Sequence, residues 1–311
     1  MNSKNNIKKH LKNKINDWLE SIDDSAVRKS LSNNIIVTGG AMVSLLTGEK
    51  VHDYDIYFRT KQATIDAANY YVSKWNSTHP DSKQASVQVS DDGRVKVFIQ
   101  SAGVVGEETE KDENGRNMPK IDQNDNPFPP VEEELSDEEK AALEDEKDGK
   151  DKPKYRPVFL SSNAITLSDK IQVVIRFYGE VEEIHKNYDF AHCTCSWTSW
   201  DNEVQLPTKA LECIINKELY YIGSKYPLCS IIRTRKFIER GYHINAGQYV
   251  KMAFQLNELD LHNIEVLEEQ LTGVDTGYFQ MMIDALREQQ ERTGKNEVDN
   301  AYVIELINRM F

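Results

Sequence analysis

Two carboxylates spaced two residues apart follow a pair of glycines in the first third of the sequence. The stretch VTGGAMVSLLTGEKVHDYDIYF contains Gly39-Gly40 near its start and Asp53 and Asp55 near its end. Residues two apart on a β-strand share one face, roughly 6–7 Å apart. Carboxylates held in this way repel each other and attract divalent cations. Two such ions about 3.5–4 Å apart clamp both oxygens of an in-line phosphoryl displacement.

The glycine pair stands where a strand signal gives way to a helix signal. Glycine at such a turn lets the backbone approach a phosphate closely, and the helix N-terminus adds N–H donors and a positive dipole. Ser44 lies one turn into the predicted helix. Its hydroxyl is placed either to donate to a triphosphate or to pack as a small group against the sheet. The pattern predicts a phosphate-binding turn beside two acidic side chains.

The segments around this stretch alternate strand and helix patterns. Residues 5–32 have helical spacing. Strand patterns occur in NIIVTGG, HDYDIYFR, PVFLSSNAITL, KIQVVIRFYG and NYDFAHCTCSW, and KQATIDAANYYVSKWN is an amphipathic helix. ASVQVS and RVKVFIQ form a predicted hairpin joined at Asp91-Asp92-Gly93. From Pro207 onward the pattern is helical to the end.

The glycine turn and the acidic pair together resemble the DNA polymerase β-like nucleotidyltransferase superfamily. Its hallmark is a Gly-Gly or Gly-Ser turn, an Asp-x-Asp/Glu pair in the next strand, and a third carboxylate in a later strand. The resemblance implies that Asp53 and Asp55 bind the metal ions and the triphosphate. It also implies a third acidic ligand, for which Asp189 in Tyr188-Asp189-Phe190 fits best. The glycine pair and Ser44 would then hold the phosphates.

The resemblance implies an α/β (α+β) fold with a nucleotidyltransferase palm built on a mixed β-sheet. The expected domains are an N-terminal helix over 1–33, the palm over 34–205 and a helical domain over 206–311. The segment LYYIGSKYPLCSIIRTRKFIERGYHINAGQYVKMAFQL resembles the tail of uncharacterised viral and bacteriophage proteins with the same head.

The implied reaction moves a nucleoside monophosphate from an NTP to an acceptor hydroxyl and releases pyrophosphate. The implied cofactors are two Mg²⁺ or Mn²⁺ ions, and RNA or the tRNA 3′ end is one acceptor. Two alternatives stay open. One is a protein-modifying AMP transferase, and the other is a catalytically inactive viral interaction protein that kept the fold.

A dense basic cluster lies in the helical part. It contains Arg233, Arg235, Lys236 and Arg240. The planar guanidinium group of arginine binds phosphate through bidentate hydrogen bonds, so the cluster is a candidate for NTP or RNA binding. The alternative is a solvated helix face with Glu239 as an ion-pair partner.

The acidic balance of the chain comes from one segment. The 311 residues include 51 acidic and 38 basic side chains, but residues 107–151 alone hold 18 acidic and six basic ones. The remainder is nearly neutral, so the overall charge does not exclude nucleic acid. Low hydrophobicity and high charge predict a disordered acidic insertion at about 103–156.

Composition also excludes several classes of protein. Apolar runs are short and interrupted by charge, which predicts no membrane span, and the start MNSKNNIKKH has no apolar signal core. Four cysteines are too few for a disulfide framework in a chain of this length. We therefore expect the protein to be located in a reducing cytoplasm, which is that of the host if the protein is viral. Cys193 and Cys195 lie on one face of a predicted strand, and no second pair of cysteines follows. A structural zinc site needs four ligands, so no zinc site is expected. Nothing in the sequence indicates an oligomeric state.

Overall fold

The chain divides into two compact units. The computed structural model describes residues 2–80, 84–91, 93–99, 109–111, 117–119, 153–271, 276–294 and 298–310. The first unit comprises Met1–Ala102 and Glu138–Ile222, and the second comprises Gly103–Asp137 and Gly223–Phe311.

Strands and helices alternate through the first unit, and helices dominate the second. In chain order the described strands are β1 (Ile35–Thr38), β2 (Tyr54–Phe58), β3 (Ala85–Val89), β4 (Val95–Ile99), β5 (Thr109–Lys111), β6 (Asn117–Pro119), β7 (Pro157–Leu160), β8 (Ala164–Leu167), β9 (Ile171–Tyr178), β10 (Ser196–Thr198) and β11 (Glu203–Gln205). The described helices are α1 (Lys4–Glu20), α2 (Ser25–Ser32), α3 (Gly40–Thr47), α4 (Lys61–Thr78), α5 (Val181–His185), α6 (Thr208–Asn216), α7 (Pro227–Glu239), α8 (Ala246–Leu256), α9 (Ile264–Leu271), α10 (Thr276–Thr293) and α11 (Asn300–Met310). A short 3₁₀ helix at Ala191–Cys193 lies between α5 and β10.

A seven-stranded mixed sheet is the centre of the first unit. Its strand order is β11-β10-β1-β2-β9-β8-β7. The central strands β2 and β9 are parallel, and the other neighbouring pairs are antiparallel. The strands β3 and β4 form the predicted hairpin as a separate two-stranded sheet beside α4. The predicted mixed α/β fold with a following helical region is confirmed.

Side-chain caps define where the core helices begin. Ser3, Asp24 and Thr60 each accept a hydrogen bond from a backbone N–H in the first turn of α1, α2 and α4. Such caps satisfy donors that have no partner inside the helix. Gly48 ends α3 in the left-handed conformation that glycine tolerates best. The helix after the glycine pair is therefore short and well bounded.

One face of the sheet carries the main core. Alternate residues of the central strands, such as Val37, Ile56 and Val173, are fully buried on this face. Trp18 of α1 and Tyr71 of α4 belong to the same core. The Trp18 indole N–H donates to the Tyr71 hydroxyl at 2.7 Å, so the polar atoms of two large buried side chains satisfy each other.

The opposite face has a smaller apolar cluster. Ile36 of β1 and Tyr57 of β2 pack there with Val181 and Ile184 of α5. Since side chains alternate along a strand, Asp55 also points to this second face. The candidate site is built on this side of the sheet.

The second unit has its own apolar core. It is formed by buried residues of α9, α10 and α11, among them Leu267, Leu286, Tyr302 and Leu306. The strands β5 and β6 pair with each other, and β6 contacts α10. No helix in the described part of the chain has the length and hydropathy needed to cross a bilayer.

Three details differ from the sequence-based expectations. The boundary between the units follows Ile222 rather than residue 205, because Ala210 and Ile214 of α6 pack in the first core. The predicted disordered insertion includes the paired strands β5 and β6, and residues 103–108, 112–116 and 120–152 of it lie outside the described residues. Of the predicted strand NYDFAHCTCSW, only the last two residues, Ser196 and Trp197, belong to a strand, which is β10.

Candidate functional site

The glycine turn lies directly against Asp55. Gly39 follows the last residue of β1 and caps the start of α3. Its φ of +78° and ψ of −144° form a backbone conformation that side-chain-bearing residues rarely adopt. A Cβ atom on Gly39 would lie 3.4 Å from Asp55 Oδ2 and 3.4 Å from the Tyr188 hydroxyl oxygen. The turn therefore brings backbone, carboxylate and phenol together at one point.

The neighbouring glycine has open space around it. A Cβ atom on Gly40 would have no other heavy atom within 4 Å. Gly40 is the first residue of α3, and the first N–H groups of a helix have no acceptor within the helix. Ser44 lies one turn further along the helix and is half-buried. The helix start thus offers donors and room for an anion.

Two tyrosines complete the surroundings of Asp55. The Tyr188 hydroxyl donates to the Tyr57 hydroxyl at 3.3 Å. Burial raises the pKa of Tyr188 well above its usual value, and Tyr57 and the charge of Asp55 raise it further. Tyr188 therefore stays protonated beside the carboxylate. Sequence reasoning missed both residues, although Tyr57 stands two residues after Asp55 and so shares its face of the strand.

A neutral histidine supports the end of β1. The Thr38 hydroxyl donates to the backbone carbonyl of Cys195 at 2.8 Å, and His185 Nε2 lies 2.8 Å from the same hydroxyl oxygen. A threonine hydroxyl has one proton, so the His185 Nε2–H must donate to Thr38. Burial lowers the pKa of His185 to about 4. The imidazole is thus neutral near pH 7.

Acid should destabilise the first unit through His185. We expect the free energy of unfolding to fall below about pH 6.5, at up to roughly 1.4 kcal/mol per pH unit, until the folded-state pKa is reached. The sign follows because the unfolded chain takes up the proton at the ordinary imidazole pKa, whereas the folded chain resists it down to about 4. Urea unfolding of wild type and His185→Gln at about pH 7, 6 and 5 measures this slope. Equal slopes in both proteins would refute it.

The two predicted acidic ligands differ in their surroundings. β2 begins at Tyr54, so Asp53 lies one residue before the strand and is exposed. Asp55 is within the strand, half-buried, and in register with Gln172 of the parallel strand β9. Together they could supply carboxylate ligands to one divalent cation.

The third predicted carboxylate, Asp189, stays a prediction as a metal ligand. Asp189 is 3% exposed and lies between α5 and the 3₁₀ helix, outside the seven-stranded sheet. Its backbone carbonyl accepts from the N–H of Ile222 at 2.9 Å, and the next residue, Phe190, forms a bridge with Tyr221. Within the described ranges, no three His, Cys, Asp or Glu side chains are arranged to hold a metal ion.

The predicted basic cluster divides into two stripes of α7. Arg235 Nε lies 3.1 Å from Glu239 Oε1, and the two residues form an ion pair between positions four residues apart on the helix. Arg233 and Lys236, three residues apart and both exposed, share a different stripe. All four residues belong to the second unit, whereas the glycine turn and Asp55 belong to the first.

Several solved structures of tRNA-processing enzymes are distantly similar to this chain. The Thermotoga maritima CCA-adding enzyme complexed with tRNA is 10% identical with a TM-score of 0.35, and covers 89% of this chain and 53% of its own. A tRNA-processing enzyme with CTP is 11% identical with a TM-score of 0.36, over 88% and 54%. The Bacillus stearothermophilus CCA-adding enzyme with CTP is 12% identical with a TM-score of 0.36, over 85% and 50%. TM-scores this low assign no activity.

A sequence family matches most of the first unit. Its model, described as Gabija anti-defense 2 family protein (Gad2), matches residues 9–217. The protein named Gabija anti-defense 2 of Bacillus phage SPbetaL7 is 19% identical over an alignment of 309 residues that covers 96% of this chain and 58% of that protein. The chain thus spans little more than half the length of this relative. The phage relative confirms the predicted resemblance to bacteriophage proteins. The family match extends over more than half of the residues of this chain. The chain therefore belongs to the Gabija anti-defense 2 family.

Proposed function

We propose that the first unit binds a nucleoside triphosphate at the Gly39-Gly40 turn and transfers its nucleoside monophosphate to an acceptor hydroxyl. One observation carries this proposal. Asp55 Oδ2 lies 3.4 Å from the position of a Cβ atom on Gly39, so a cation-binding oxygen touches the backbone turn. A glycine turn at a helix start binds phosphate, and a carboxylate beside it holds the cation that accompanies a triphosphate.

The residues around the turn have distinct roles in this proposal. The backbone N–H groups at the start of α3 would bind phosphate oxygens, with the Ser44 hydroxyl as an additional donor. Asp53 and Asp55 would hold one divalent cation, Mg²⁺ or Mn²⁺, that enters with the nucleotide. The protonated Tyr188 limits water around the Asp55 carboxylate. Asp189, which is buried, keeps its predicted role as a third acidic ligand in this proposal.

The acceptor follows from the biological setting of the family. A phage anti-defense protein acts in the host cytoplasm, where the 3′ ends of RNA and tRNA and the side-chain hydroxyls of defense proteins are all available. We propose nucleotidyl transfer to one of these classes as the means by which this Gad2 protein counters host defense.

A labelling experiment tests the activity directly. The protein is incubated with each α-³²P-labelled NTP, Mg²⁺ or Mn²⁺, and either total RNA or host-cell lysate. The expected result is label in an RNA band or in a protein band, depending on which acceptor class is correct. Asp55→Asn is the control and should give none. Absence of label in every band would refute the transferase proposal.

Nucleotide binding without transfer is a second candidate. Support for this candidate comes from the described carboxylates, which form no group of three that could hold a metal ion, whereas two-ion phosphoryl transfer uses shared acidic ligands. This candidate predicts that an NTP with Mg²⁺ raises the melting temperature of wild type although no acceptor is labelled. The two readouts together separate the candidates.

The stripe of Arg233 and Lys236 should contribute to binding of RNA. We expect Arg233→Glu with Lys236→Glu to weaken RNA binding at least several-fold at low salt, with a smaller loss at high salt, because exposed charges are screened. Arg235→Glu is the matched control, because Arg235 is on the other stripe and pairs with Glu239. Fluorescence anisotropy with labelled RNA measures both variants. Equal affinities for wild type and the double variant would assign the stripe to solvation only.

A further inference from the structure

The side chains level with Asp55 form one row across the second face of the sheet. In strand order from β10 to β8, the row is Ser196, Thr38, Asp55, Gln172 and Thr166. Three of the four neighbouring pairs are register partners in the structure. The antiparallel register of β1 and β2, which pairs Val37 with Ile56, places Thr38 opposite Asp55 when continued by one residue. Asp55 is the acidic member of a row that is otherwise neutral.

Gln172 is the row member best placed to act with Asp55. Ile171 and Val173, on either side of it, are buried in the main core, so the Gln172 side chain points to the second face with Asp55. Neighbouring strands lie roughly 4.7–4.9 Å apart, which brings the two side chains within reach of one ligand. Both residues are half-buried rather than covered. A ligand bound at Asp55 would therefore also meet the Gln172 carboxamide.

Thr38, the neighbour of Asp55 on the other strand, already makes two hydrogen bonds through its hydroxyl group. The Thr38 hydroxyl donates to the Cys195 carbonyl and accepts from His185. The position beside Asp55 on the sheet where a further carboxylate could join a cation site is therefore that of Gln172. An amide oxygen can coordinate a hard cation, but it adds no negative charge, and the number of charged ligands strongly affects affinity.

We infer that Gln172 contacts the bound nucleotide and cation, and that its neutral side chain limits the site to a single divalent ion. The inference rests on the proposed function, because it takes the ligand to be a nucleoside triphosphate. It explains why the described carboxylates form no group of three around Asp55.

Gln172→Glu tests this inference by supplying the absent charge. Wild type, Gln172→Glu and Gln172→Ala are titrated with Mn²⁺ in the presence of ATP or GTP analogues that cannot be cleaved at the α-phosphate. Electron paramagnetic resonance counts the bound ions, and calorimetry measures analogue affinity. We expect one ion on wild type, a second ion on Gln172→Glu, and an analogue affinity at least several-fold weaker for Gln172→Ala. Gln88→Glu, which adds the same charge at an exposed site on β3, is the matched control and should behave as wild type.

The possible outcomes distinguish the inference from the proposed function. Two ions on wild type, with the analogue bound, would overturn the single-ion inference and leave the proposed function standing. An unchanged ion count in Gln172→Glu would overturn it as well, provided that circular dichroism shows a folded protein. Failure of wild type to bind any analogue would overturn the proposed function and the inference together.

Discussion

Asp55→Asn should abolish the rise in melting temperature that an NTP with Mg²⁺ gives to wild type, while the protein remains folded. Asparagine has nearly the same shape as aspartate, and Asp55 is only half-buried. The variant removes a negative charge close to the hydroxyl of Tyr188. We therefore expect its stability without ligand to be unchanged or raised by up to about 1 kcal/mol.

The loss follows from mass action. A ligand at 100 times its dissociation constant stabilises the folded state by about 2.7 kcal/mol, which is several degrees for a unit of this size. Differential scanning fluorimetry with each NTP and Mg²⁺ measures the shift. Asp189→Asn is the informative comparison, because Asp189 is buried and outside the glycine turn. We expect it to lower the melting temperature and to keep the nucleotide-induced shift. An identical shift in wild type and Asp55→Asn would refute the proposed site.

Gly39→Ala should cost stability and binding together. The glycine has φ +78°, a region that costs a side-chain-bearing residue roughly 1–3 kcal/mol. The added methyl group would lie in van der Waals contact, 3.4 Å from both Asp55 Oδ2 and the Tyr188 hydroxyl, so the site is lost only as far as the strained backbone relaxes. Urea unfolding measures the first effect and calorimetry with an NTP measures the second.

Gly40→Ala separates folding from binding. Its Cβ atom would meet open space, and alanine in place of a helical glycine adds about 0.5–1 kcal/mol. The same methyl group would occupy the space into which a phosphate must come. We therefore expect Gly40→Ala to be as stable as wild type or more so, but to bind NTP at least tenfold more weakly. Full affinity in this variant would show that the phosphates do not lie on the turn.

The local part of the candidate site could be predicted from the sequence. The glycine turn between β1 and α3, and the acidic residue on β2, follow from periodicities of 3.6 and 2 residues over one short stretch. Such patterns depend on neighbouring residues, so they survive without knowledge of the rest of the chain. They also assign Asp55 and Tyr57 to one face of β2, because buried residues alternate with them.

The partners of Asp55 were decided by the tertiary structure. Periodicity shows which face a strand residue points to, but not which strand lies beside it or in what register. Gln172 lies next to Asp55 because β9 runs parallel to β2 across a long interval of sequence. Asp189 has apolar neighbours typical of a strand, but its backbone pairs with residues 221–222 instead, which removes it from the sheet. The sequence thus determined the glycine turn and the place of Asp55 on β2, and long-range strand pairing decided that the neutral amide of Gln172 lies beside Asp55.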